Sequence, residues 1–296
     1  TSGGGKGQGF TMHLLRAESP GPNVGKLVPR MRKTAAILYV LYICLTVLNV
    51  IFLLIGKMPL FEAVCTAFGT AGTGGFGVKN DSIAGDSPYL FSCYYLLLVG
   101  NFRSVFKDEE LRMYLGILVG ATLLIVWNLR GFYPTLGEAV RHAAFQVSSV
   151  MTTTGYATTD FALWPAFSQS ILLLLMIIGA CAGSTGGGLK CARALLLFKG
   201  LKRNIHQVLH HRRVQTIRIN DQVVGEKVLD NANAYLSAYV IILFLSFLVI
   251  SLDGFSIGTN FSAVLACFNN IGPGLEAVGP TCNFGIYSPL SKLVLI

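Results

Sequence analysis

Four stretches of this chain carry no charged residue over nearly the width of a bilayer. They are Thr34–Ile55, Met113–Leu129, Ala166–Leu189 and Ala232–Leu252, of 22, 17, 24 and 21 residues. A spanning helix needs about 20 predominantly apolar residues at ~1.5 Å each. In a chain of 296 residues with mean hydropathy +0.60 and only 12% charged residues, four such runs predict an all-α, multi-pass membrane protein. The opening "TSGGGKGQGF" is glycine-rich and polar and has no apolar core of a cleavable signal peptide.

The net charge of +9 is not spread evenly. Positive residues gather between the runs, in "PRMRK" (Pro29–Lys33) and in Lys199–Arg218, which holds six Lys/Arg and no acid. The positive-inside rule places both in the cytoplasm. They lack interleaved aromatic residues for base stacking, so nucleic acid is not the expected partner; membrane lipid is. Cys44, Cys65, Cys93, Cys181, Cys191, Cys267 and Cys282 show no CxxC spacing. They read as small buried residues, not as disulfides or zinc ligands.

One pattern recurs. A long apolar run is followed by a shorter half-apolar segment, then a Gly/Thr/Asn-rich stretch, then another apolar run. "FEAV", "GEAV" and "FSAV" (from Phe61, Gly137 and Phe261) mark the same place in each unit, which implies one supersecondary unit used several times. With Lys199–Arg218 inside, the basic clusters at 30–33, 103–112 and 199–218 share a face only if each short segment enters the membrane and returns to the same side. Asp81, Asp86 and Asp160 then fall on the opposite face.

Irregular backbone at membrane depth is tolerated only when it is buried in protein or lines water. A re-entrant half-helix followed by an extended stretch presents carbonyls that can replace a cation's hydration shell. Glycine supplies backbone angles closed to other residues, and threonine adds a hydroxyl oxygen. The expected ion-binding strands are therefore Thr152, Thr153, Thr154 and Gly155 in one unit and Asn269, Asn270, Ile271 and Gly272 in another. Thr73, Gly74 and Gly75 form the third.

"ACAGSTGGGLK" (Ala180–Lys190) interrupts the longest apolar run. Each glycine in a helix costs about 1 kcal/mol relative to alanine. A phosphate-binding loop would need Lys directly after the last glycine and then Ser or Thr; here Leu189 intervenes and Cys191 follows. A packing kink is the plain alternative. The favoured expectation is a flexible loop across the ion path, a gate made of Gly183, Ser184, Thr185, Gly186, Gly187 and Gly188 with Lys190 at its end. His206 and His210, four apart in a basic stretch, read as part of a solvated linker. Asp160 reads equally as a loop cap or as a cation-concentrating charge. Glu62 and Glu138 read as charges favouring the positive ends of the short helices. No Ser/His/Asp or paired-carboxylate constellation stands out, so no enzyme is expected.

"LLRAESPGP", "TGGFG", "HAAFQVSSVMTTTGYATTDF", "GACAGSTGGGLK" and "NNIGPG" together resemble the Trk/Ktr/HKT superfamily of potassium transporters, in particular its bacterial TrkH type. The resemblance implies a potassium-channel-like fold of repeated M1–P-loop–M2 units around a central pore, with one filter glycine per unit. Here those are Gly75 (or its neighbour Gly74), Gly155 and Gly272. It implies potassium as the substrate, no cofactor in this chain, a homodimer in the bacterial cytoplasmic membrane and a cytosolic nucleotide-binding subunit of the TrkA type. The superfamily has four filter loops and this chain shows three. The expected division is 1–29 as the tail of a shortened first unit, then 30–107, 108–218 and 219–296, the last cut in its second helix. The potassium-translocating subunit of an ATP-driven pump is the nearest alternative, and a membrane-associated NTPase the alternative of another class.

Overall fold

The computed structural model describes residues 31–71, 108–181, 187–210, 216–220 and 222–296. Thr73, Gly74, Gly75, Gly183, Ser184, Thr185 and Gly186 lie outside them. Among the described residues, α1 (Met31–Ile55) turns directly into the shorter α2 (Leu60–Ala71) and packs on it. Next come α3 (Glu109–Asn128), α4 (Leu136–Met151), α5 (Ala166–Ile177) and α6 (Cys191–Leu209). A two-stranded antiparallel hairpin, β1 (Arg218–Ile219) with β2 (Gln222–Val223), leads to α7 (Glu226–Ile250), α8 (Ile257–Phe268) and α9 (Pro289–Leu295).

Polar residues at the boundaries set these lengths. Asp108 accepts from the Glu110 N–H at 2.9 Å to start α3. Thr135 accepts from the Glu138 N–H at 3.2 Å, in the Thr-x-x-Glu spacing of a capping box. Ser256 and Ser288 cap α8 and α9 in the same way. Glu62 and Glu138 fall in the first turns of α2 and α4, as the sequence predicts.

Alongside an apolar core, many large apolar residues face outward and a set of polar residues is buried. Val119, Leu123, Leu124 and Trp127 of α3 and Val240, Ile241, Phe244, Leu245 and Leu248 of α7 face outward and are exposed. Gln146, Ser149, Thr153, Thr154, Asn260, Ser262 and Asn269 are buried. Exposed apolar surface of this extent marks a contact face, and Glu109–Asn128 and Glu226–Asp253 are long and apolar enough to cross a bilayer. Between these faces one core joins α3, α4, α5, α7 and α8 around Ile125, Val147, Met151, Phe161, Leu172, Met176, Ile250, Leu265 and Ile271.

Two expectations need correction. The basic segment Lys199–Arg218 is not simply a loop: α6 runs through it to Leu209 and carries His206, and Arg218 opens the hairpin. Lys199 pairs with Glu109, and Arg203 with Glu226 at 2.6 Å. Beneath them Leu195, Leu196, Ile217, Ile219 and Leu229 form a second small core. The segment is therefore tied to the bases of α3 and α7. Of the described cysteines only Cys191 is buried; Cys44, on the outward apolar face of α1, and Cys282, in a loop, are exposed.

Candidate functional site: two matched turns and a broken helix

α4 and α8 end in the same way. Past α4, the Thr153 N–H donates to the Val150 carbonyl at 3.0 Å and the Thr154 N–H to the Ser149 carbonyl at 2.9 Å. Past α8, the Asn270 N–H donates to the Cys267 carbonyl at 3.0 Å and the Ile271 N–H to the Ala266 carbonyl at 2.8 Å. These are the two crossed bonds of a Schellman cap, a motif whose left-handed position normally takes glycine. Here that position holds Thr153 and Asn270, each at φ +54. A left-handed β-branched residue is an outlier that costs about 1–3 kcal/mol and persists only where its surroundings enforce it. Positive φ then returns two residues later in both turns, at Gly155 (φ +80) and Gly272 (φ +107).

Different side chains support the two turns. After α4, Ser149 donates to the Tyr156 carbonyl at 2.6 Å and the Thr152 and Thr154 hydroxyls lie 2.7 Å apart. The Tyr156 hydroxyl crosses to α2 and donates to the Thr66 carbonyl at 2.9 Å. His142 of α4 lies 3.0 Å from the Thr158 hydroxyl and stacks on Tyr133. After α8, the side-chain carbonyl of Asn269 accepts from the Tyr239 hydroxyl of α7 at 2.9 Å, while its amide nitrogen is buried with no partner among the described residues. Asp160 proves to be a cap: one oxygen accepts from the Ala162 N–H at 3.0 Å and the other from Thr281 at 3.2 Å.

The broken helix reaches both turns. α5 stops at Ile177, and Ile178 forms a parallel bridge with Leu189. The Gly179 N–H donates to the Leu189 carbonyl at 2.8 Å and the Cys191 N–H to the Ala180 carbonyl at 3.2 Å. A kinked helix does not lay its two stubs side by side in the same direction; a chain that leaves and returns does. The Gly187 N–H donates to the Thr153 hydroxyl at 3.1 Å. A Cβ on Gly187 would run into the Asn269 backbone, and one on Gly188, at φ +74, would press on the Asn269 side chain. Glycine is required here by this close approach. Lys190 is buried at the start of α6, and Arg193 lies 3.9 Å over the ring of Tyr235, whose hydroxyl reaches toward the Gly188 carbonyl at 3.5 Å.

Gly187 and Gly188 thus meet the turn of Thr153, Thr154 and Gly155 and the start of the turn of Asn270, Ile271 and Gly272, while Lys190 lies just beyond, at the start of α6. The sequence reading passes over Tyr239 and Tyr156. Tyr235 and Tyr239 stand four apart in an apolar run, and that spacing is a signal that could find them.

The family model described as the TrkH cation transport protein matches residues 133–296, which hold both matched turns and the broken helix. The chain belongs to the TrkH family. Among curated relatives, the Trk system potassium uptake protein TrkH of Salmonella typhimurium and that of Escherichia coli K12 are each 35% identical to it over 305 residues. The Trk system potassium uptake protein TrkG of Escherichia coli K12 is 31% identical over 302 residues. These alignments cover 95–96% of this chain, and the chain spans 61–62% of the length of those TrkH and TrkG proteins. The crystal structure of the potassium transporter TrkH from Vibrio parahaemolyticus is similar at a TM-score of 0.83 and 32% identity, covering 97% of this chain and 64% of that one. As a TrkH-family chain it is grouped with transporters rather than enzymes.

Proposed function

We propose that this chain forms part of a pathway for potassium uptake across a bacterial cytoplasmic membrane. It would do so as a multi-pass protein of M1–P-loop–M2 units around a central pore. The units are 30–107, 108–218 and 219–296, with 1–29 the tail of an earlier one. The observation that carries the reading is the repeated backbone of the two turns. Positive φ at every second residue, 153 and 155, then 270 and 272, turns carbonyls out of a helical path at the inner ends of two short helices. Carbonyls so freed can stand in for a potassium ion's water shell. Thr153, Thr154 and Gly155 with Asn270, Ile271 and Gly272 are the filter strands, and Thr73, Gly74 and Gly75 supply another.

The glycine-rich segment, Gly183 to Gly188 with Lys190, is the gate. Support comes from Gly187, which is seated against Thr153 of one strand and Asn269 at the start of the other. The transporter is a homodimer regulated by a cytosolic nucleotide-binding subunit of the TrkA type. That subunit docks on the side of the β1–β2 hairpin. Because Lys199 and Arg203 are already paired, the remaining charge of the segment is what it meets.

The test is Gly155→Ser and Gly272→Ser in the complete gene product, expressed in a host without its own potassium uptake. Both place a Cβ on left-handed backbone, so rubidium-over-sodium uptake should fall for both. Unchanged selectivity in two well-expressed variants would sink the filter assignment.

A further inference from the structure

A row of hydroxyls along α8 holds the residues that follow Gly272. Ser256, Thr259 and Ser262 recur every third residue and so lie along one side of the helix and its cap. Ser262 accepts from the Leu275 N–H at 2.9 Å, and Thr259 donates to the Glu276 carboxylate at 2.8 Å. Ser256 donates to the same carboxylate oxygen. Gly258 leaves room for that carboxylate, which a Cβ there would strike. An acidic side chain from beyond the turn thus sits over the first turn of α8, where unpaired N–H groups carry partial positive charge. Glu276 itself is held at φ +54, a backbone that a glutamate adopts only when its surroundings require it. Pro273, Gly274 and Leu275 alone separate it from Gly272.

The geometry points to Glu276 as a positioning residue for the Asn270–Gly272 strand: its carboxylate, gripped by Ser256 and Thr259, ties the exit of the strand to the start of the helix whose end fixes its entry. This rests on the reading of Gly272 as a filter glycine. With both ends fastened to α8, the direction of the Gly272 carbonyl is set by one short closed circuit.

Hydrogen bonds from Ser256 and Thr259 hold the Glu276 carboxyl below the usual glutamate range. The charged form is the one that is gripped, so the tie is complete above ordinary carboxylate values and is lost as external pH falls through the depressed value. Among the described residues, three charges on this side are already engaged. Asp160 is held by Ala162 and Thr281, Asp253 accepts from the Ser288 N–H, and Lys292 donates to the Gly285 carbonyl.

The experiment reads the rubidium-over-sodium uptake ratio against external pH in the complete gene product, with the amount in the membrane measured alongside. Glu276→Ala should lower the ratio by about tenfold, the scale of losing a hydrogen bond to a charged group. Glu276→Gln should lower it less and flatten the acid limb seen in the wild type. Should Glu276→Ala fail to reach the membrane, Thr259→Val, of nearly the same shape, carries the same expectation. Wild-type ratio and pH profile in well-expressed Glu276 variants, with Gly272→Ser impaired, would overturn the tie. If Gly272→Ser is also unaffected, the filter reading of this strand fails, and the role given to Glu276 fails with it.

Discussion

The turns after α4 and α8 share a backbone and almost nothing else. Thr153 is wholly buried and bonded to Gly187, whereas Asn270 at the matching position is exposed. The first turn is fastened to its own helix by Ser149 and His142 and also leans on its surroundings: Tyr156 reaches α2, and the broken helix supplies a donor to Thr153. The second leans mainly on its own helix, through Ser262, Thr259 and Ser256, with Tyr239 of α7 as the outside brace. A demanding backbone can thus be reached by two sets of side chains, one shared between units and one local.

Three substitutions sharpen or break this contrast. Gly187→Ala should have the largest effect, because it forces a Cβ against the backbone of Asn269, which a side-chain rotation cannot relieve. Overpacking of this kind costs about 1–3 kcal/mol. The broken helix should come away from both turns, raising rubidium flux and lowering the melting temperature of purified protein. Wild-type flux and melting would show that Gly187 does not bear on Asn269.

Tyr239→Phe should come next. It leaves the Asn269 side chain wholly buried with neither end partnered among the described residues, a cost of about 1–3 kcal/mol. The effect should appear in the melting temperature and in selectivity, while the first turn is untouched. Tyr156→Phe should be the smallest. The Thr66 carbonyl also accepts from the Thr70 hydroxyl at 2.8 Å, so it is not orphaned, and the net loss is about 0.5–1.5 kcal/mol. A Tyr156→Phe loss larger than that of Tyr239→Phe would reverse the ranking and mean that the bond between units outweighs the brace from α7.

Legibility in the sequence followed the range of the forces involved. The runs Thr34–Ile55, Met113–Leu129 and Ala232–Leu252 each fall within, or nearly within, one helix, because burial in an apolar medium depends on composition alone. Gly155, Asn270 and Gly272 were legible because left-handed positions have local residue preferences; Thr153 runs against that preference and was marked only by its hydroxyl. The gap between Ile177 and Cys191 was visible as a cluster of glycines, but the parallel pairing of its two sides was not, since nothing local encodes which strands meet. Glu276 and Tyr239 escaped notice for the same reason: each acts on a residue 17 or more positions away. The hairpin at 218–223 starts at the last residue of a segment whose charge suggested solvent, and nothing in that charge pointed to it.

The pairing of Ile178 with Leu189 also separates two quantities that are usually locked together in a transmembrane element, the number of residues and the distance travelled. Gly179 and Leu189 sit side by side, so the chain between them adds nothing to the path from α5 to α6. In an unbroken helix every inserted residue advances and rotates all that follows by about 1.5 Å and 100°. Here the stitch absorbs such a change. A change in the number of residues between Ala180 and Gly187 would leave α6, its pairing with Glu109 and the hairpin below it in register, while Gly187 and Gly188 stay fixed by their seat on Asn269.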